Sequence, residues 1–227
     1  MSASSSGPVI HVVAAAVGDT AGRVLIAQLP AGKHMAGGWE FPGGKLEPGE
    51  ERLVGLAREL REELGITLVG TSRPLIRVHH AYPSREVLLD IWVVKRYGGE
   101  ARGLDGQALR WCTEDELEAA ELLPADRPIV RALRLPERLR RVESRDYRIG
   151  DALAINDAGL HGVFCANADE AVTAARVGAD FLVMRHALGP DELAGLCGLV
   201  HVPVFARGIE LEEAWASGAS GLNEIIG

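Results

Sequence analysis

The segment Gly44–Ile66, GKLEPGEERLVGLARELREELGI, constrains the fold more than any other stretch, because it joins a glycine turn to a helix with two incompatible faces. At 3.6 residues per turn from about Glu51 to Leu64, the side chains of Leu53, Leu56, Ala57, Leu60 and Leu64 share one face and are expected to pack into a core. Glu59, Glu62 and Glu63 cannot lie on that face. Their i, i+3, i+4 spacing makes them neighbours elsewhere on the helix, where like charges repel unless a cation sits among them. Magnesium suits such a place, since it prefers oxygen ligands and shares its coordination between a few carboxylates and substrate phosphates. Gly65 ends the helix, because a residue without a side chain suits the left-handed conformation. A solvated Glu-rich face would account for the helix alone. It would not account for Phe41-Pro42-Gly43-Gly44, whose glycines let backbone carbonyls and amides approach an ion or a phosphate closely.

The whole stretch follows GX5EX7REUXEEXGU, with U an apolar residue, and every defined position is filled. It resembles the Nudix box of the MutT/Nudix hydrolases. The similarity to the MutT branch runs over roughly Pro8 to Leu135 and includes HMAGGWEFPGGK, AYPSREVLLDIW, DGQALRWCTEDEL and LLPADRPIVRAL. That resemblance implies an αβα sandwich, a magnesium cofactor that manganese could replace, and hydrolysis of a nucleoside triphosphate to the monophosphate and pyrophosphate. It also implies that Glu59, Glu62 and Glu63 with the Gly43 carbonyl are metal ligands. Asp105, in Leu104-Asp-Gly-Gln107, matches a position where the MutT pattern carries a metal-ligating glutamate, although its side chain is one methylene shorter.

Within this set Arg58 is expected to orient the cluster by pairing with Glu50 or Glu59. Glu59 is the first choice of general base and Asp105 its rival, since a metal-bound water needs only a weak base. Phe41, Gly44 and Lys45 fall beside the substrate, and Arg85 matches an arginine next to the nucleotide. Asp126, in Leu123-Pro-Ala-Asp126, stands where the MutT pattern has an asparagine that reads oxidised guanine. An ionised aspartate only accepts hydrogen bonds, so Asp126 could take them from guanine N1 and N2, or donate one if burial keeps it protonated. It could equally cap the helix that follows. Leu29 replaces another arginine of the pattern. Trp39 could stack on a base or serve the core, and His79 and His80 read as structural. The resemblance makes 8-oxo-dGTP the expected substrate. ADP-ribose or a thiamine-type pyrophosphate would suit the same chemistry, and a nucleotide-sensing module is the reading from another class.

The chain has 227 residues, enough for one large domain or two small ones, and a net charge of −8 that opposes binding to a nucleic-acid polymer. Its three cysteines, Cys112, Cys165 and Cys197, are too dispersed for a zinc site or a disulfide framework and are expected as small core residues in a reducing cytoplasm. No apolar run reaches membrane-spanning length, and residues 1–7 read as a flexible start without the parts of a signal peptide.

Along the chain, Val9 to Val17 and Val24 to Gln28 read as a hairpin, with further strands near Leu75 to His80 and Val87 to Val94. Thr113–Glu116 is a capping box, and a helix is expected over Asp126 to Leu133. Residues 8–135 form the expected Nudix domain. Residues 136–149, rich in arginine and glutamate, read as a connector, the sharper alternative being a basic patch for nucleic acid. From residue 150 to 227, short apolar strands alternate with helical stretches, which predicts βα units on a parallel sheet. The segments GVFCANADEAVTAARVGADFLV and VPVFARGIELEEAWASGASGL resemble the later βα units of thiamine phosphate synthase, a barrel enzyme. A full barrel takes roughly 250 residues, so only a partial barrel-like segment is expected. Where that family carries a glycine pair for phosphate, this chain has Arg207-Gly208. No thiamine phosphate synthesis is expected, and the open sheet edges must be covered by the Nudix domain or by a second subunit in a homodimer.

Overall fold

The computed structural model describes residues 9–30, 35, 37–151 and 159–226, so the start at 1–7 lies outside the described residues. The chain divides into two compact units, Met1–Ser72 with Val78–Val130, and Arg73–Arg77 with Arg131–Gly227.

The first unit opens with β1 (Ile10–Val17), β2 (Val24–Gln28), β3 (Trp39–Glu40) and β4 (Gly43–Lys45), which lead into α1 (Arg52–Leu64). After it come β5 (Thr67–Leu68), β6 (Arg73–Tyr82), β7 (Arg85–Val94), β8 (Tyr97–Gly98), β9 (Leu109–Cys112), α2 (Glu114–Ala119) and α3 (Arg127–Leu133). A mixed sheet runs in the order β4-β1-β7-β6. Strand β1 is its centre, parallel to β7 from Ile10↔Val87 to Val17↔Val94 and antiparallel to β4 through Ala14↔Gly43. The expected hairpin is replaced by something else. Beyond a single bridge from Gly18 to Val24, β2 leaves its sequence neighbour and pairs with β3 and β9 in a separate sheet. Strand β1 has β7 and β4 on its two edges, and this long-range pairing buries its run of small and branched residues on both faces.

Helix α1 buries Leu56, Leu60 and Leu64 against Val13, Ala15, Val17, Leu25 and Trp92. Leu53, expected on the same face, is 38% exposed, because it lies in the first turn beyond the reach of the sheet. Gly65 closes the helix at φ 69°, donating its N–H to the carbonyls of Arg61 and Leu60. The capping box at α2 forms as read: Thr113 accepts from the Glu116 N–H and Glu116 accepts from the Thr113 N–H.

The second unit contains β10 (Arg138–Leu139), β11 (Tyr147–Gly150), β12 (Leu160–Cys165), α4 (Ala168–Arg176), β13 (Phe181–Met184), α5 (Pro190–Leu199), β14 (Val204–Ala206), α6 (Leu211–Ala216) and β15 (Gly221–Asn223). Its strands form one parallel sheet in the order β10-β15-β14-β13-β12-β11. Residues 136–149, expected as a connector, therefore supply both edge strands, because Leu139, Tyr147 and Ile149 have a core to enter. Four of their arginines carry acidic partners: Arg138 and Arg140 meet Glu224, Arg145 meets Asp146 and Arg148 meets Glu143. Alternation along β13 sends Leu182 and Met184 to the face covered by α4, α5 and α6, and Phe181 and Val183 to the other. There Phe181 makes edge contacts with Tyr147 and Phe205, at centroid distances of 5.9 and 5.7 Å. The start of β6 belongs to this unit: Arg73 donates to the Ser220 carbonyl and the Ser220 hydroxyl donates to the Leu75 carbonyl. All three cysteines are buried and free. No helix among the described residues is long and apolar enough to cross a membrane.

Candidate active site

The glycine turn and helix α1 meet at the edge of β1. A Cβ on Gly43 would lie 2.1 Å from the Val13 carbonyl oxygen, and one on Gly44 would lie 2.3 Å from the Glu59 carboxyl carbon. Only glycine fits at Gly43, whose neighbours are backbone and whose φ is 152°, while a side chain at Gly44 would have to displace the Glu59 carboxylate. The Gly43 N–H also donates to Glu63 Oε2 at 3.3 Å, so two carboxylates from one helix converge on the backbone of the turn.

Arg58 joins the remaining acids to them. Its Nε and Nη2 donate to the two oxygens of Glu50 at 2.9 and 2.8 Å, a bidentate pair. Nη2 also reaches the Lys45 carbonyl at 3.1 Å, while Nη1 reaches Glu59 at 2.8 Å and Glu62 at 3.4 Å. Both alternatives open from the sequence, Glu50 and Glu59, are therefore used at once. The Arg58 guanidinium, with help from the Glu47 N–H, holds the Glu50 carboxyl down at about pKa 2. Glu50 and Glu59 in turn raise the pKa of Arg58 further. Glu62 differs from its neighbours in leaving 62% of its side chain exposed.

Asp105 lies in an exposed loop after β8, and it lines a small cleft together with Glu63, Glu40 and Gln107. Among the described residues no three histidine, cysteine, aspartate or glutamate side chains come together as a ready ligand set. The chemistry still suits a hard cation, because Glu59 and Glu63 bring carboxylates to the turn and its glycines carry no side chains beside them.

A second cluster forms around Asp126, which is 4% exposed and accepts the Phe41 N–H at 3.1 Å. Burial pushes its carboxyl up to about pKa 8; the Phe41 N–H works against this and the nearby Glu40 charge adds to it. Asp126 thus ties the start of α3 to a backbone amide 85 residues earlier in the chain. Phe41 itself is buried at 2% exposure, so its ring serves the core. The phenol of Tyr82 is raised by burial, bonds the Ala125 backbone, and carries the exposed Arg85 guanidinium 5.7 Å from its ring centroid. Arg85 and Asp126, far apart in sequence, share this neighbourhood. Trp39 has one ring face covered by Arg110, with the guanidinium carbon 4.5 Å from the centroid. His79 pairs with Glu86 at 3.1 Å.

Sequence reasoning missed Glu40 and Gln107. Glu40 is felt by both Asp126 and Tyr82 and lines the cleft with Glu63 and Asp105, so it stands between the two clusters. The available signal was an acid set between two aromatic residues, Trp39 and Phe41.

The family described as NUDIX domain matches residues 12–132, more than half of the chain, and the protein belongs to it. Over 124 residues it is 41% identical to the CTP pyrophosphohydrolase of Escherichia coli (strain K12), covering 54% of this chain and 90% of that one. Over 112 residues it is 37% identical to the 8-oxo-dGTP diphosphatase of the same strain, covering 49% and 86%. The solution structure of the E. coli ORF135 protein aligns with a TM-score of 0.50 and 39% identity, over 56% of this chain and 93% of that chain.

Proposed function

We propose that the protein is a magnesium-dependent pyrophosphohydrolase of the MutT type, which releases pyrophosphate from a nucleoside triphosphate in the cytoplasmic nucleotide pool. The observation that supports this reading is the glycine turn, where the Gly43 N–H donates to Glu63 and the Glu59 carboxylate occupies the space a Cβ on Gly44 would take. Glu59, Glu62, Glu63, Asp105 and the Gly43 carbonyl would hold the ion, magnesium or manganese. When bound, the ion neutralises charge on the phosphates and lowers the pKa of water. Arg58 orients the carboxylates of Glu50 and Glu59 through its hydrogen bonds. Glu59 would take the proton from the attacking water, with Asp105 as the alternative base. Gly44 and Lys45 would border the phosphates, and Arg85 and Asp126 the nucleoside, with Phe41 supporting Asp126 through its backbone N–H.

The proposed substrate is 8-oxo-dGTP, which would make the enzyme a sanitiser of the nucleotide pool and a contributor to DNA repair. One observation favours a second reading, a cytidine triphosphate. A carboxyl at about pKa 8 is mostly un-ionised at neutral pH and offers an O–H donor beside its acceptor oxygen. That pair matches cytosine N3 and N4 as well as guanine O6 and N1, and the relative named CTP pyrophosphohydrolase is 41% identical. ADP-ribose, a thiamine-type pyrophosphate and a purely nucleotide-sensing role rank below both. The C-terminal unit is proposed as a shortened thiamine phosphate synthase-like segment without synthase activity, with a homodimer as one way of covering its sheet edges.

The test is a hydrolysis screen of 8-oxo-dGTP, dGTP, CTP and ADP-ribose with magnesium, products identified. Pyrophosphate release that depends on the metal, and that Glu62→Gln or Glu63→Gln removes while leaving the melting curve unchanged, is the expected result. Metal-independent turnover or full activity in both variants overturns the mechanism.

A further inference from the structure

Helix α1 ends beside the loop that carries Asp105, and the junction is built from its last carbonyls. The final turn of a helix leaves four carbonyls without intrahelical partners. The Arg61 carbonyl is taken by the Gly65 N–H. The Leu64 carbonyl accepts the Arg102 N–H at 3.0 Å, and the Glu63 carbonyl accepts the Leu104 N–H at 2.9 Å. A second donor reaches the Glu63 carbonyl from a side chain: Gln107 Nε2, at 3.1 Å. The other end of the same carboxamide, Oε1, accepts the Asp105 N–H at 2.9 Å. One side chain thus bonds the main chain of Glu63 and the main chain of Asp105, and all three residues line one cleft.

We infer that Gln107 is a positioning residue, which sets the Asp105 carboxylate against Glu63 so that the two can share a cation bridging to a nucleotide phosphate. The inference rests on the metal-dependent reading above. Its physical basis is the donor and acceptor pair of a carboxamide, held on a stem long enough to span both backbones. The loop that carries Asp105 is exposed and turns at Gly106, φ 76°, held by the Leu104 N–H on the Glu63 carbonyl and by Gln107 on the Asp105 N–H. Methionine keeps the volume of glutamine but neither hydrogen bond. Glutamate keeps the acceptor and turns a repelling oxygen toward the Glu63 carbonyl.

Mn2+ affinity of the full-length protein, measured by electron paramagnetic resonance without nucleotide, reads this directly. Gln107→Met and Gln107→Glu are each expected to weaken Mn2+ binding about 10-fold, the scale typical of partners that orient metal ligands. In an Asp105→Asn background, the same changes should cost less than about 2-fold, because a residue acting through Asp105 has nothing left to position. Circular dichroism confirms that the variants compared are folded, and having two variants covers the failure of one. Parent-like affinity in both variants, or losses that multiply unchanged in the Asp105→Asn background, overturns the role of Gln107 alone. A parent protein that binds no Mn2+ and releases no pyrophosphate overturns the metal reading, and this inference with it.

Discussion

Arg58 holds Glu50 through two parallel hydrogen bonds, Nε at 2.9 Å and Nη2 at 2.8 Å, and with its remaining nitrogen holds Glu59, the carboxylate packed on Gly44. One guanidinium thus links the loop before α1 to the helix face beside the turn. Exposed ion pairs contribute little to stability. Here the value lies in geometry, since a planar fork fixes both partners in direction as well as distance.

The first prediction follows from that fork. Glu50→Gln and Arg58→Lys each break the bidentate pairing while preserving approximate size, and should lower kcat about 10-fold to 100-fold, the range seen when groups orienting metal ligands are altered. The melting temperature should move little. Steady-state kinetics beside a thermal melt checks this; a large fall in Tm with unchanged kcat would show that the fork is merely structural.

Gly44→Ala places a methyl group 2.3 Å from the resting position of the Glu59 carboxyl carbon, so the carboxylate must move away. Activity is expected to fall by more than about 10-fold, with the magnesium concentration for half-maximal rate raised. A magnesium titration of the variant against the parent supplies the measurement, and overlapping curves would refute the packing argument.

Asp126 gives a prediction in pH. Its carboxyl is pushed up to about pKa 8 by burial, against roughly 3.9 for an unfolded aspartate. The folded state holds the proton more tightly, so this stability is fully present below about pH 4 and is lost as pH rises toward 8. Asp126→Asn removes that loss, and its Tm relative to the parent should climb between pH 5 and pH 9. Thermal melts across that range decide the matter.

The same titration should change base preference. Un-ionised Asp126 can donate to cytosine N3, whereas the ionised form only accepts and is left with guanine N1–H and N2–H. The ratio of kcat/KM for CTP over 8-oxo-dGTP should therefore fall from pH 6.5 to pH 8.5 in the parent and stay flatter in Asp126→Asn. An equal slope in both proteins would remove Asp126 from base recognition.

Truncation after Pro136 is predicted to preserve metal-dependent hydrolysis per folded molecule while lowering solubility. Arg73, 6% exposed, would lose the Ser220 carbonyl, and Arg77 the Gly198 carbonyl, leaving guanidinium groups without acceptors they now use. Size-exclusion chromatography and specific activity of the truncated chain test this, and an equally soluble product would count against it.

Local chemistry made much of the first unit legible in the sequence. The length of α1, its Gly65 stop, the capping box at Thr113 and the spacing of Glu59, Glu62 and Glu63 all arise from residues within a few positions of one another. Arg58 could be assigned to Glu50 and Glu59 for the same reason, since all three lie within ten residues. Tertiary structure decided what depends on partners far along the chain. Strand β1 abandons the nearby β2 for β7 and β4, because those neighbours bury both its faces. The edge strands β10 and β11 arise within an arginine-rich stretch, because a sheet waits to receive Leu139 and Ile149. Asp126 acquires its raised pKa only when the fold buries it beside Phe41, 85 residues earlier, and Gln107 meets Glu63 only when the loop folds back onto the end of α1. Helical periodicity and capping act over a few residues and can be read directly. Strand pairing, desolvation and long-range hydrogen bonds depend on which surfaces finally meet, and one sequence does not display those meetings.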